Sequence, residues 1–260
     1  MKATRPINSC PLCLEPNKEL ANSHIVPEFN YAPFYNEKHQ LRTFVGDGSK
    51  KEKPIQKGIR DFLLCDDCES KISAWEDHAA RIVGPGKIDP LVVPTMKHIG
   101  LDIDYKKFKL YGMSLIWRMA VTKEPSFAIG SLGKQQEVLR QAIFNEDPLA
   151  SSKFPFYLEA YLAPDGNFYT DWMSPPLHRD FFGKKGISIV IGGLLYTFIA
   201  SSPNVPQHLD AALPVPNQPL AVPVLPISTF PEFEAMYREA VANVKRHAGG
   251  GVEPNGIAPP

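Results

Sequence analysis

No cysteine stands outside two Cys-x-x-Cys pairs. Cys10 with Cys13 and Cys65 with Cys68 are the whole complement of this 260-residue chain, so no thiol is left over for another task. No run of 18 apolar residues occurs, so no membrane-spanning helix and no membrane partner are expected. Net charge is absent too. Lys plus Arg and Asp plus Glu both number 28, which excludes an overall basic field able to hold nucleic acid. Any such binding must come from a local patch. The opening Met1-Lys2-Ala3-Thr4-Arg5-Pro6 lacks the apolar core of a signal segment. The expected location is the cytoplasm, where thiols stay reduced and available to a metal.

What is present is ordinary globular material with one distinctive constellation. The apolar fraction is 43% and the charged fraction 22%, enough to bury a full core in one large or two modest domains. A two-residue gap lets both thiolates of a pair turn onto one ion, and two such pairs complete a tetrahedral zinc shell. The other readings of the spacing are two redox pairs or two disulfides. A disulfide framework suits a small secreted chain, which this is not.

Periodicity divides the chain. Residues 1–14 read as a loop carrying the first pair, 20–26 as a short strand ending near His24, and 62–64 as an apolar strand entering the second pair. Asp66 with Glu69 three residues on fits a capping box. Ile72, Trp75, Ala79 and Ile82 then give a helical stripe that Gly84-Pro85-Gly86 stops. Residues 107–121 read as a buried helix with Phe108, Tyr111, Leu115 and Met119 on one face, and 134–145 as another helix. The period then becomes two. Phe156–Leu162 and Phe168–Trp172 flank Pro164-Asp165-Gly166-Asn167, and Ile187–Ile191 and Leu194–Ala200 flank Gly192-Gly193, two hairpin patterns. Eight prolines between Pro203 and Pro231 favour an extended segment. Phe233, Met236, Tyr237, Ala240, Val241 and Val244 make the apolar stripe of a last helix.

His24 lies within Asn22-Ser23-His24-Ile25-Val26-Pro27, after the first pair. Phe62-Leu63-Leu64-Cys65-Asp66-Asp67-Cys68-Glu69 runs through the second. Together these segments resemble the zinc-stapled branch of the HNH endonucleases. There a Cys-x-x-Cys knuckle precedes an Asp-His-Ile-x-Pro segment, and a Leu-Cys-x-x-Cys-His segment opens a metal-binding helix. The resemblance covers about the first 80 residues. It implies a ββα-metal, treble-clef-like module in which zinc on Cys10, Cys13, Cys65 and Cys68 is structural. It also implies that His24 is the general base, its ring facing the start of the helix, and that a separate Mg²⁺ or Mn²⁺ ion serves the chemistry.

The departures from the family pattern are specific. Ser23 replaces the acidic neighbour of the base, and a hydroxyl is a poor ligand for a hard ion. The middle Asn has no match, with Arg60 falling about there. Glu69 replaces the final His, and is either a ligand of the catalytic ion or the capping-box partner. Glu28, Asp61, Asp66 and Glu76 are further carboxylates near the motif. Between Glu37 and Arg60 seven positive and three negative side chains give a local +4. Of these, Lys50, Lys51, Lys53, Lys57 and Arg60 are the candidate nucleic-acid contacts. Arg118, inside an apolar helix, needs a partner; Glu137 or Glu159 is expected, with a phosphate-binding role as the other reading.

The expected fold class is α+β: a zinc-binding module over 1–84, a linker over 85–106 and an α+β domain with antiparallel hairpins over 107–202. A proline-rich extended segment over 203–231, a C-terminal amphipathic helix over 232–247 and a disordered tail over 248–260 follow. The expected function is that of an HNH-like, metal-dependent endonuclease hydrolysing phosphodiester bonds, with DNA the first candidate substrate. The alternative is a catalytically inactive zinc-binding module that contacts nucleic acid or protein. A homo-oligomer or a protein partner, through the second domain or the C-terminal helix, stays open.

Overall fold

The computed structural model describes residues 4–38, 40–41, 55–56, 58–181, 183–199 and 213–248. The class is α+β, with four α-helices among the described residues. Lys50, Lys51, Lys53 and Lys57 and the tail beyond Ala248 lie outside them.

The N-terminal part is a strand pair followed by a helix. β1 (Ile7–Asn8), β2 (Lys18–His24) and β5 (Arg60–Cys65) form an antiparallel sheet in the order β1-β2-β5. A two-stranded ladder of β3 (Gln40–Leu41) and β4 (Ile55–Gln56) lies between β2 and β5 in the chain. The β2–β5 register runs Leu20 to Cys65 and Ala21 to Leu64, then shifts so that Asn22, Ser23 and His24 face Phe62, Asp61 and Arg60. The shift leaves Leu63 as the extra residue of a β-bulge. Ser23 staples it: its buried Oγ accepts from Leu64 N at 3.2 Å and donates to Ala21 O at 3.3 Å.

Helix α1 (Asp66–Val83) starts immediately after Cys65. Its buried Cys68, Ile72, Trp75 and Ala79 recur at helical spacing. The expected capping box does not form. Cys65 is the N-cap residue, with no side-chain cap bond, and both Asp66 carboxylate oxygens instead accept from Arg5 Nη1, at 2.7 and 2.8 Å.

The rest of the chain builds a six-stranded sheet with a buried helix beneath it. β6 (His98–Leu101), β7 (Phe156–Leu162), β8 (Leu177–Phe181), β9 (Lys184–Ile191), β10 (Leu194–Ile199) and β11 (Leu220–Pro226) are ordered β6-β11-β7-β10-β9-β8. All pairs are antiparallel except β11 with β7. The hairpin at Gly192-Gly193 forms as read, both glycines having positive φ (62° and 79°) as a type I′ turn requires. The other expected hairpin does not. Residues 163–167 turn, but 168–172 form no strand, because both edges of β7 are taken by β10 and β11. The stretch read as a linker supplies β6, and the proline-rich stretch supplies β11, so both belong to the sheet.

Helix α2 (Tyr105–Val121) lies between the two parts. Every residue from Phe108 to Met119 is buried, not one face alone. Phe108 and Tyr111 meet Phe156 and Tyr196 of the sheet at ring-centroid distances of 5.8 and 6.4 Å, while Tyr111 meets Phe29 of the N-terminal part at 6.3 Å. One continuous apolar cluster therefore spans both parts, from Cys10 to Val222. Helix α3 (Lys134–Phe144) braces the first Cys pair, where Arg140 donates to Leu12 O. Helix α4 (Pro231–Ala248) docks on its own chain by Phe233, Met236 and Tyr237. Among the described residues no helix is long and apolar enough to cross a membrane.

Candidate metal centre and active site

The four cysteines converge. All four sulfurs lie within 4.8 Å of one another, and Cys13 and Cys65, from different pairs, stand 3.9 Å apart. Four sulfurs at about 2.3 Å from one tetrahedral zinc are separated by about 3.8 Å, so the spacing fits that ion. None of the four is in a disulfide. The Cys65 amide donates to Cys10 Sγ at 3.4 Å, the kind of bond that stabilises a thiolate ligand.

The electrostatics of the cluster favour a cation. The hydrogen bond between the Cys10 and Cys68 side chains pulls the Cys10 thiol down to about 4 and pushes the Cys68 thiol up. Burial pushes Cys13 up. Sulfurs this close compete for protons, and a dication at their centre stabilises all four as thiolates. With four thiolates the shell is closed, leaving no open position for chemistry.

His24, the last residue of β2, is 22% exposed and its Nε2 pairs with Glu28 Oε2. Pro27 ends the strand direction and starts a 3-10 turn over Glu28–Phe34, which returns the Glu28 carboxylate to the ring four residues back. Tyr35 OH donates to the other Glu28 oxygen at 2.7 Å. Burial first, and this bond second, push the Tyr35 phenol up, so it remains a donor. The Tyr31 and His24 ring centroids are 6.2 Å apart, their planes inclined at 37°. Residue type alone did not single out Glu28 as the partner of His24. The signal was its i+4 spacing across a proline turn.

Arg118 reaches the same place from α2. Its Nη1 donates to the His24 main-chain oxygen at 2.8 Å and lies 2.7 Å from Glu76 Oε1. The expected partners are thereby corrected. Glu137 forks onto Arg140 on α3. Glu159 alternates with Leu158 and Ala160 on β7, so it faces the opposite side of the sheet, where Tyr161 OH donates to it. Burial pushes the Glu76 carboxyl up, and Arg118 opposes that shift.

Glu69 sits one turn into α1, two turns before Glu76 and near enough for its charge to raise that residue further. It makes no cap. Its Oε1 is buried and has no hydrogen-bond partner. A carboxylate oxygen out of water without a hydrogen-bond partner costs about 1–3 kcal/mol. Asp61 is committed elsewhere: its Oδ2 accepts from Thr122 Oγ1 and Lys123 N, both at 2.8 Å, closing the end of α2. Arg60 stands opposite His24 in the β2–β5 register, its charge acting on Tyr35.

Among the described residues the four cysteines are the only group of three or more His, Cys, Asp and Glu whose ligand atoms gather within 4.8 Å. Among the described residues Glu69 Oε1 is therefore not part of any such group. No protein-family model, curated protein or solved structure matches the chain.

Proposed function

We propose that this protein is an HNH-like, metal-dependent endonuclease whose general base is His24. The observation that carries the reading is the pairing of His24 Nε2 with Glu28 at the open end of a β-hairpin whose other end holds the four cysteines. With Nε2 donating to the Glu28 carboxylate, Nδ1 would be the accepting nitrogen, the division of roles that a carboxylate–histidine dyad imposes on the two ring nitrogens. Nδ1 takes a proton from water as the water oxygen bonds to phosphorus. The phosphorus–oxygen bond to the leaving group breaks, and Glu28, held by Tyr35, stabilises the imidazolium. Bound Mg²⁺ or Mn²⁺ would neutralise charge on the phosphate, with Glu69 the candidate ligand. Zinc on Cys10, Cys13, Cys65 and Cys68 would keep the hairpin against the helix. Nucleic acid, DNA first, would approach across Arg60; Lys50, Lys51, Lys53 and Lys57, the other candidate contacts, lie outside the described residues.

The second reading is a catalytically inactive zinc module that binds nucleic acid or protein. It draws support from the carboxylates, which do not gather as a second cage among the described residues, and from Ser23, which serves the bulge. Cleavage of supercoiled plasmid DNA and of RNA, with Mg²⁺ or Mn²⁺, distinguishes the two. His24→Ala is expected to lower the rate by about 10²–10⁴-fold. Equal cleavage by wild type and variant would remove His24 as base, and no cleavage by either would favour the inactive module.

A further inference from the structure

Three elements meet at the Arg118 guanidinium. On α2 itself, Nε donates to Ser114 O at 3.3 Å and Nη2 to Ser114 Oγ at 3.4 Å. From α1, Glu76 Oε1 lies 2.7 Å from Nη1, and from β2 the His24 carbonyl accepts from the same nitrogen at 2.8 Å. The side chain is 2% exposed, so its charge depends on these partners. Arginine suits the position because its planar fork addresses several acceptors from one fixed plane. The Glu76 carboxylate supplies the opposite charge, and Ser114 sets the plane.

The geometry has a consequence for His24. β2 ends at this residue, and the next amide reaches across the sheet only by a 3.4 Å bond from Ile25 N to Ile59 O. Arg118 grips the carbonyl at the point where the ladder gives out. A fixed carbonyl fixes the Cα–Cβ direction, and with it the arc on which the imidazole meets Glu28. Removing the guanidinium takes one donor from the His24 carbonyl and the opposite charge from the largely buried Glu76 carboxylate.

We propose that Arg118 is a positioning residue: from the second part of the chain it clamps the His24 main chain against Glu76 and so sets the orientation of the imidazole. The catalytic aspect of this proposal rests on the reading of His24 as base, whereas the clamp itself does not. The test uses the full-length, zinc-loaded protein and the Arg118→Met and Arg118→Lys variants. Zinc content and circular dichroism are compared first, then the ¹⁵N resonances of the His24 imidazole, assigned by their loss in His24→Gln. In wild type the two nitrogens should appear as one protonated and one unprotonated. In Arg118→Met they should move toward a common averaged value, with zinc content unchanged. Arg118→Lys, which keeps the charge but not the fork, should fall between. Should Arg118→Met fail to fold, Arg118→Lys is read in its place. A His24 spectrum identical to wild type in the folded variant overturns the proposal. In the cleavage assay kcat should fall about 100-fold in Arg118→Met with KM little changed, the size expected when a reacting group is misplaced by about 1 Å. Spectra that respond to Arg118→Met in a wild-type protein that cleaves nothing would uphold the clamp and reject the nuclease.

Discussion

Stripping the metal from the four-cysteine centre should open the N-terminal part while sparing the sheet. Structural zinc sites contribute about 10–16 kcal/mol of apparent binding energy at neutral pH. That is comparable with the whole stability of a folded domain, about 5–15 kcal/mol. The local structure has little to replace it. β1 is two residues long, and Cys10 and Cys13 reach β5 and α1 across a sheet of three strands. Leu12, Leu20 and Leu64, neighbours of the cysteines in the chain or the ladder, are buried, each worth about 1.5–3 kcal/mol. α1 keeps a separate anchor, because Ile72, Trp75 and Ala79 belong to the common core with α2. The expected sequence is therefore loss of the segment before β2 first and loosening of α1 later. The measurement is elemental analysis, expected to give one zinc per chain, followed by chelation and limited trypsin digestion read by mass spectrometry. Lys18, paired with Glu15 and Asp67 in the intact protein, should become an early cleavage site. The thermal midpoint should drop by more than about 10 °C, since 1 kcal/mol is about 2–4 °C in a chain of this size. Cys65→Ser should reproduce both effects. Absence of zinc from the purified protein, or an unchanged midpoint with Lys18 still protected after chelation, would refute the reasoning.

Three further outcomes follow from single side chains. Glu69→Gln should raise the thermal midpoint in metal-free buffer by about 2–4 °C, because it removes an unpartnered buried carboxylate beside Glu76, while it lowers metal-dependent cleavage. Ser23→Ala should cost about 1–3 kcal/mol in urea unfolding, since the buried Leu64 amide loses its acceptor. Lys109 is fully buried, its ammonium facing the carbonyls of Ser151, Lys153 and Phe154, and burial pushes it down from 10.5 to about 7. The folded value lies below the unfolded one, so the unfolded chain binds more protons between the two. This group's contribution to stability should therefore rise from about pH 7 to about pH 10.5 and be flat below. Urea unfolding of wild type and Lys109→Met across that range isolates the slope, and equal slopes would contradict it.

Much of the local structure was legible because it depends on neighbours in sequence. The start of α1 after Cys65, its end at Gly84, the span of α3 and the Gly192-Gly193 turn all follow from spacing within a few residues. The two cysteine pairs are separated by about 50 residues, yet each carries the same local two-residue spacing, and that spacing predicted their convergence. Glu69 was recognised as important but its role was ambiguous, since capping and ligation ask for the same residue type. Cys65 in the cap position, with no side-chain cap bond, excludes the cap.

By itself the sequence determined the α+β class, the four-sulfur centre, the hairpin leading to His24 and the helix behind it, because short-range sterics and two-residue spacings leave few alternatives. Tertiary structure alone decided which charges meet. Arg118 found Glu76 and the His24 carbonyl rather than Glu137 or Glu159, and β6 and β11 joined one sheet although the first was read as a linker and the second as an extended proline-rich segment. Those outcomes depend on α2 being buried on every side between two layers. Such burial requires each polar group to find a partner wherever the packing places one, and no window of neighbouring residues encodes that choice.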